Sequence, residues 1–393
     1  MDNLSMDTFG RVLQLTRRTP RSRTPDYFSW IKYQVLHKCV RSLVDSYLFK
    51  VRLIHFAKSK VVGRTEVNQC PVQKANVDAC VAYFISRMGT VTNVRFDTDE
   101  RLNCPSLLNA ENVAITRLSY SPRAKAVKML NSLIAKHSPT LRYLRNLNGD
   151  GILAITGQLR AKYLMLFIAP RFDREGGLKR LADEKIGAAL VQLAASGAKA
   201  KRLSIRMDNL VSDETIRNVI VSLEVERLRW QWQEYGEFER MRKSSIGWLR
   251  RSIDANLSFP NITHLFLTLS GGANTVQEIV NIPGQIKQVF PGLVKLDIVR
   301  SWQFNYQDVL NLVCQFFADL PHLRVMLKLS ARFDPNTYIR PVKKISIDEL
   351  LALFLTAIPD LRSASLERNR FGHRIIHVVS MSGKCEAEVI MDS

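Results

Sequence analysis

No stretch of this 393-residue sequence stays apolar for long. The longest wholly apolar runs, such as Leu350 to Leu355, fall far short of the ~20 residues that cross a bilayer, so no membrane span is expected. The first ten residues carry Asp2 and Asp7 and no base, and no apolar core follows them, so a secretory leader is not expected either. Cysteine is sparse: six residues, at 39, 70, 80, 104, 314 and 385, with no C-x-x-C pair. That excludes a zinc ribbon and a thioredoxin motif. Widely scattered thiols fit a reducing compartment, cytoplasm or nucleus.

The signatures of catalysis are missing too. There is no G-x-S-x-G nucleophile elbow. The glycine-rich run from Leu269 lacks the Lys-Ser or Lys-Thr of a phosphate cradle and reads as a loop whose Asn274-Thr275 caps the next helix. The Asn148-Gly149-Asp150-Gly151 run reads as a turn. His373 and His377 are four apart, but Arg374 stands where a metalloprotease has Glu, and on a strand the pair is too far apart to share a metal. Asp213-Glu214 and Glu224/Glu226 sit at a helix start and a strand edge, where solvated carboxylates are the rule. No enzyme activity, metal or cofactor is expected.

Acid is in short supply. Lys plus Arg number 57 against 36 Asp plus Glu, a formal charge of +21. The excess calls for an acidic partner: nucleic acid, an anionic membrane surface or an acidic protein. Otherwise the composition, 46% apolar and 24% charged, is that of a globular protein with a real core.

Four segments follow from the pattern. Residues 1–25 read as a flexible basic arm, with Arg17, Arg18, Arg21 and Arg23 as an anion-binding or import patch and Thr19-Pro20 and Thr24-Pro25 as proline-directed phosphorylation sites. Residues 26–64 read as a small helical module, because Ile31, Val35, Leu36, Cys39, Val40 and Leu43 follow helical spacing and Leu48, Val51, Ile54 and Phe56 continue it after a break. Twelve basic and four acidic residues fall in positions 1–60. From about residue 80 to 372, helices and short apolar strands alternate. Residues 373–393 read as a C-terminal β-hairpin cap turning at Ser382-Gly383-Lys384.

The helices expected in the long segment cover 122–137, 184–196, 212–224, 305–320 and 346–358. Ser212, followed by Asp213, Glu214 and Thr215, and Ser346, with Glu349 three on, are N-cap signals. Strands are expected at 93–97, 117–120, 162–168, 201–207, 227–232, 264–269, 295–299, 325–330 and 364–367. Such alternation makes either a doubly wound α/β sheet or an αβ solenoid. One recurring phrase favours the second: an apolar residue, Pro, any residue, then Leu or Ile, at Pro260, Pro291, Pro321 and Pro359, in steps of 31, 30 and 38. Proline ends each helix, and the following Leu or Ile turns inward to start a strand. Ser138-Pro139-Thr140-Leu141 is a fifth, partial copy.

These phrases resemble leucine-rich repeats. The family's L-x-x-L-x-L-x-x-N pattern appears in relaxed form at Leu293, Leu296, Ile298 and Ser301, at Ile262, Leu265, Leu267 and Ser270, and at Leu361, Ala364, Leu366 and Asn369. Looser copies are Ile115, Leu118 and Tyr120; Ala200, Leu203 and Ile205; and Val225, Leu228 and Trp230. The mean step is about 30 residues, at the family's upper edge, and the Asn ladder is mostly missing. The resemblance implies an α/β solenoid of irregular repeats with parallel strands, convex-face helices and a helical N-terminal module. Leu265, Leu267, Leu296, Ile298, Leu327 and Leu366 are then expected to lie buried in one parallel sheet in chain order.

The N-terminal module resembles an F-box. Val35, Leu36, Val40, Leu43, Asp45, Leu48, Val51, Arg52, Ile54 and Lys58 match that module in order, although Ile31-Lys32 replaces its opening Leu-Pro and residues 55–59 replace its Cys-Lys-x-Trp. The resemblance implies a substrate-receptor subunit of a cullin-type ubiquitin ligase. Val35, Leu36, Val40, Leu43, Leu48, Val51 and Ile54 would bind an acidic Skp-type adaptor, and the repeats an acidic or phosphorylated protein substrate. A plain helical cap is the alternative for the module. A repeat scaffold binding nucleic acid, without a ligase link, is the alternative for the whole.

In a repeat strand, the residues beside the inward leucines line the concave face. Arg117, Arg145, Arg202, Arg206, Arg227, Arg229 and Lys295 are the candidate ligand-binding residues there, with Arg95 and Lys328 at equivalent positions and Tyr143, Phe167 and Phe266 among them. Trp230 and Trp232 fall on inward positions and read as core.

Overall fold

A computed structural model describes residues 52–57, 77–97, 103–120, 127–168, 181–207, 211–232, 245–269, 283–304, 306–332, 346–358, 361–368 and 374–392, together with Ser42, Asp45, Ser46 and Phe49. The chain is mixed α/β and divides into two compact units at Ala161/Lys162, a boundary that the sequence reading does not contain.

Among its described residues the first unit gives four strands to the large sheet, β1 (Leu53–Ala57), β2 (Val91–Asp97), β3 (Val113–Tyr120) and β4 (Tyr143–Leu147). They lie side by side in chain order, all parallel. Helices Val77–Ile85 and Val127–His137 join them, with two five-residue helices, Pro105–Asn109 and Gly149–Leu153. Ile54, Val94, Phe96, Leu118 and Leu144 are all but fully buried. Two expectations change here. Residues 53–57 form a strand, not the continuation of a helix: Ile54 pairs with Val94, and the ring of Phe56 stacks on Phe96 at 4.6 Å. The Asn148–Gly151 run starts a helix instead of a turn, because the Asn148 side chain accepts a hydrogen bond from the Gly151 N–H (3.0 Å) and so caps it.

The second unit is larger. Its strands are β5 (Tyr163–Ile168), β6 (Arg202–Met207), β7 (Arg227–Trp232), β8 (His264–Leu269), β9 (Lys295–Phe304), β10 (Arg324–Arg332), β11 (Leu361–Arg368), β12 (Arg374–Ser380) and β13 (Cys385–Asp392). β5 to β10 are neighbours in chain order and parallel. Within this run the order never reverses, which separates it from a doubly wound sheet. Helix Leu181–Ala195 packs on Asp213–Ser222, Ser245–Asp254 on Pro283–Val289, and Tyr306–Asp319 on both Pro283–Val289 and Ile347–Ala357.

A shared hydrogen-bond device opens the strands. The Lys201 carbonyl accepts from Glu226 and Arg227 N–H, that of Glu226 from Thr263 and His264, and that of Thr263 from Val294 and Lys295. The proline phrases stack behind it. Phe259, Phe290 and Leu320 are buried in succession, as are Ile262, Leu293 and Leu323, and the rings of Phe259 and Phe290 lie 5.5 Å apart. Trp230 stacks on Trp248 at 4.0 Å in the same core. Ser212 and Ser346 cap their helices, and Ser346 with Glu349 makes a complete capping box.

The far end departs from the repeat expectation. The fourth copy of the phrase opens β11, but that strand is antiparallel to β12 and lies out of chain order, beyond β13 and β12. Leu366 is 41% exposed, so it is no core position. The rung beside β10 is taken by β13, in parallel register from Val325↔Cys385 to Arg332↔Asp392. Packing explains the exchange. Cys385, Ala387 and Val389 give β13 an unbroken buried stripe, whereas Ser363, Ala364 and Ser365 give β11 little to bury. β12 and β13 form an antiparallel hairpin through residues 381–384, with Gly383 at φ 66°.

Candidate functional site: the open face of the second unit

Alternation along each strand puts Leu203/Ile205, Leu228/Trp230, Leu265/Leu267, Leu296/Ile298 and Val325/Leu327 in the core and their neighbours on the other face. The positions just before the first inward residue line up across the sheet. Arg202 pairs with Arg227, Arg227 with His264, His264 with Lys295, and Lys295 with Arg324. Five adjacent strands thus present five nitrogen bases in one row. A second row holds Ser204, Arg229, Phe266, Asp297 and Met326 in the same register.

The carboxylates nearby are already paired, one of them with two bases of the row itself. Asp297 Oδ2 lies 2.8 Å from His264 Nε2 and 3.0 Å from Lys295 Nζ. These two partners outweigh the burial of Asp297 and hold its carboxyl below the usual range; its other oxygen, Oδ1, is buried with no hydrogen-bond partner among the described residues. Glu224 pairs with Lys199 (2.5 Å), Glu226 with Lys201 (3.5 Å), and Glu388 with Lys328 (2.7 Å). Asp213 holds Arg251 by two contacts of 2.5 and 3.1 Å. None of these acids reaches Arg202, Arg227 or Arg324.

Aromatic rings hold two of the arginines. The guanidinium of Arg202 lies 5.2 Å from the Tyr163 ring centre and that of Arg229 4.2 Å from Phe266. Such stacking holds the planar guanidinium in place against the ring.

Of the candidate residues, Arg202, Arg227, Arg229 and Lys295 therefore share one face of the second unit. Arg206 is on the same strand as Arg202, but its side chain lies outside what the structure describes. Arg117 and Arg145 belong to the first unit, where both are exposed and Arg117 stands 4.6 Å from the Tyr143 ring. His264 and Arg324 were missed. The signal was present: each directly precedes an inward residue, as Arg202, Arg227 and Lys295 do.

Of the candidate adaptor-binding residues, Val35, Leu36, Val40, Leu43, Leu48 and Val51 lie outside the described residues. Ile54 is corrected: at 2% exposure, inside the sheet of the first unit, it offers no surface to an adaptor. His377 sits on β12 between Ser365 and Glu388, while His373 and the run 270–282 lie outside the described residues. Among the described residues, no helix is long and apolar enough to cross a membrane. Cys104 and Cys385 are buried and Cys314 is half-buried, and none of the three is in a disulfide; burial pushes the Cys314 and Cys385 thiols up. Compared with known proteins, the chain matches no family model and no curated sequence.

Proposed function

We propose that this chain is a non-catalytic recognition subunit built on irregular leucine-rich repeats, and that it serves as a substrate receptor of a cullin-type ubiquitin ligase. The open face of the second unit takes an acidic protein. Segment 35–51 docks an acidic Skp-type adaptor, to which the basic character of the N-terminal region is suited. The observation that carries the ligand reading is the row from Arg202 to Arg324, whose arginines meet no carboxylate of their own among the described residues. Strands β5 to β10 in unreversed order and the repeated carbonyl device support the repeat reading.

The test is capture by the full chain from a nuclease-treated extract, at moderate salt, beside direct binding of a purified Skp-type adaptor. Adaptor binding should be abolished by Leu36→Asp with Leu43→Asp while the urea midpoint stays unchanged. Unchanged adaptor binding would remove the ligase link. The same basic row favours a second reading, a scaffold for nucleic acid. Under that reading captured partners vanish with nuclease, and affinity falls steeply with salt as counterions are released.

A further inference from the structure

We infer that the open face of the second unit takes an acidic α-helix, one that presents a carboxylate on each successive turn of a single side. This rests on the reading of that face as a ligand surface. Arg202, Arg227, His264, Lys295 and Arg324 occupy equivalent positions on five adjacent strands. Strands in a sheet lie about 4.8 Å apart, so these groups repeat at that interval over a span of about 19 Å. One side of an α-helix repeats about every 5.4 Å. Across the four intervals the two ladders drift by only about 2.4 Å, which the flexible stems of Arg and Lys absorb. An extended peptide repeats its side about every 6.7 Å and drifts by about 8 Å over the same four intervals. It loses register after two contacts.

The second row fits the same ligand. Phe266 and Met326 are half-exposed beside the bases, on strands β8 and β10. An amphipathic helix whose acidic stripe lies on the first row sets its neighbouring apolar side chains there. Asp297 stands between them, tied to His264 and Lys295. It leaves Arg202 and Arg227 on one side and Arg324 on the other as the groups with most to gain from an incoming carboxylate.

Single-stranded nucleic acid fits less well. Its binding combines a basic track with bare aromatic faces on which bases stack. Here Arg202 and Arg229 each occupy a ring face of Tyr163 and Phe266, so neither face is bare, although the Phe266 side chain stays half-exposed.

The test uses the full chain and fluorescence anisotropy with four labelled probes. The first is an alanine-rich helical peptide of ~16 residues, long enough to span the row, with Glu on one side at each turn. The second has the same composition with Glu scattered around the helix. The third is the first with two interior prolines. The fourth is a single-stranded oligonucleotide. The first peptide should bind at least about tenfold more tightly than the second and third. Arg227→Gln and Arg324→Gln should each weaken it by a similar factor. Both side chains are exposed, so folding is preserved, and circular dichroism checks this. Equal binding of all three peptides overturns the helix and leaves the acidic-protein reading standing. Binding of the oligonucleotide and none of the peptides overturns both. Tight peptide binding that ignores the two substitutions removes the ligand from this face.

Discussion

Gly292 presses on Pro260: a Cβ placed at Gly292 would lie 2.2 Å from the Pro260 carbonyl oxygen. Two copies of the proline phrase therefore meet backbone to backbone, and only hydrogen fits between them. Gly292→Ala is expected to destabilise the second unit by about 3 kcal/mol, since the contact is with a carbonyl rather than a flexible side chain. Gly187, inside helix Leu181–Ala195, has nothing within 4 Å of such a Cβ. Gly187→Ala should instead stabilise by about 0.5–1 kcal/mol. Urea midpoints of the two variants should move in opposite directions.

His137 closes helix Val127–His137 in the first unit and is 5% exposed. Burial first, and the neighbouring Lys136 second, hold its imidazole down to about 4 from an ordinary 6.5. The unfolded chain therefore takes up its proton first as pH falls. Its contribution is intact above pH 6.5 and is lost between there and about pH 4, by about 3 kcal/mol. His137→Leu should lack this slope, so the stability gap between the two proteins should narrow or invert on acidification. A constant gap from pH 7 to pH 4 would show that His137 ionises freely in the fold.

Ser204 lies on β6 under its neighbours, fully buried, and its hydroxyl has no hydrogen-bond partner among the described residues. Ser204→Ala removes an unsatisfied polar atom and leaves Arg202 in place. Thermal unfolding should shift upward, by the equivalent of about 1 kcal/mol. A loss of stability would reveal a partner for the hydroxyl.

Ser346 accepts from the Glu349 N–H (3.1 Å), and the Glu349 carboxylate accepts from the Ser346 N–H (2.6 Å). Ser346→Ala is expected to cost about 1 kcal/mol. Glu349→Gln, which can still reach back, should cost less. Amide exchange in the first turn of helix Ile347–Ala357 should report both.

The strands and helices of the second unit were legible where two signals coincided, a proline that stops a helix and a leucine that turns in. Phe259-Pro260 and Phe290-Pro291 show this best. Where one signal stood alone it misled. Leu48, Val51 and Ile54 have helical spacing, yet Ile54 and Phe56 obey the two-residue period of β1. The helix Ser245–Asp254 was not foreseen, because only Trp248, Leu249 and Ser252 of its described side chains are buried amid a basic sequence. The fourth phrase, at Pro359, predicted another parallel rung. It could not reveal that β13, which begins at Cys385, buries more. The candidate site was legible as a rule, a base flanking an inward leucine, but the rule was applied to arginine and lysine alone, so it passed over His264, and it passed over Arg324, which stands before Val325 rather than a leucine. That Asp297 gathers His264 and Lys295 depends on cross-strand register, which no single strand contains.

The strand exchange at the far end governs the order of assembly. Leu265 finds its partner Leu296 after a loop of about thirty residues, but Lys328 meets Glu388 across sixty. Doubling a loop raises its closure cost by only about 0.6 kcal/mol, so the finished fold hardly feels it. The kinetics do, because rates fall with the sequence distance between contacts. β10 waits with an open edge while the intervening chain searches, and β11 has nowhere to dock until the hairpin arrives. An unpaired edge of that length is a template for foreign strands. The interval before β13 docks is therefore when this chain is most prone to associate with copies of itself.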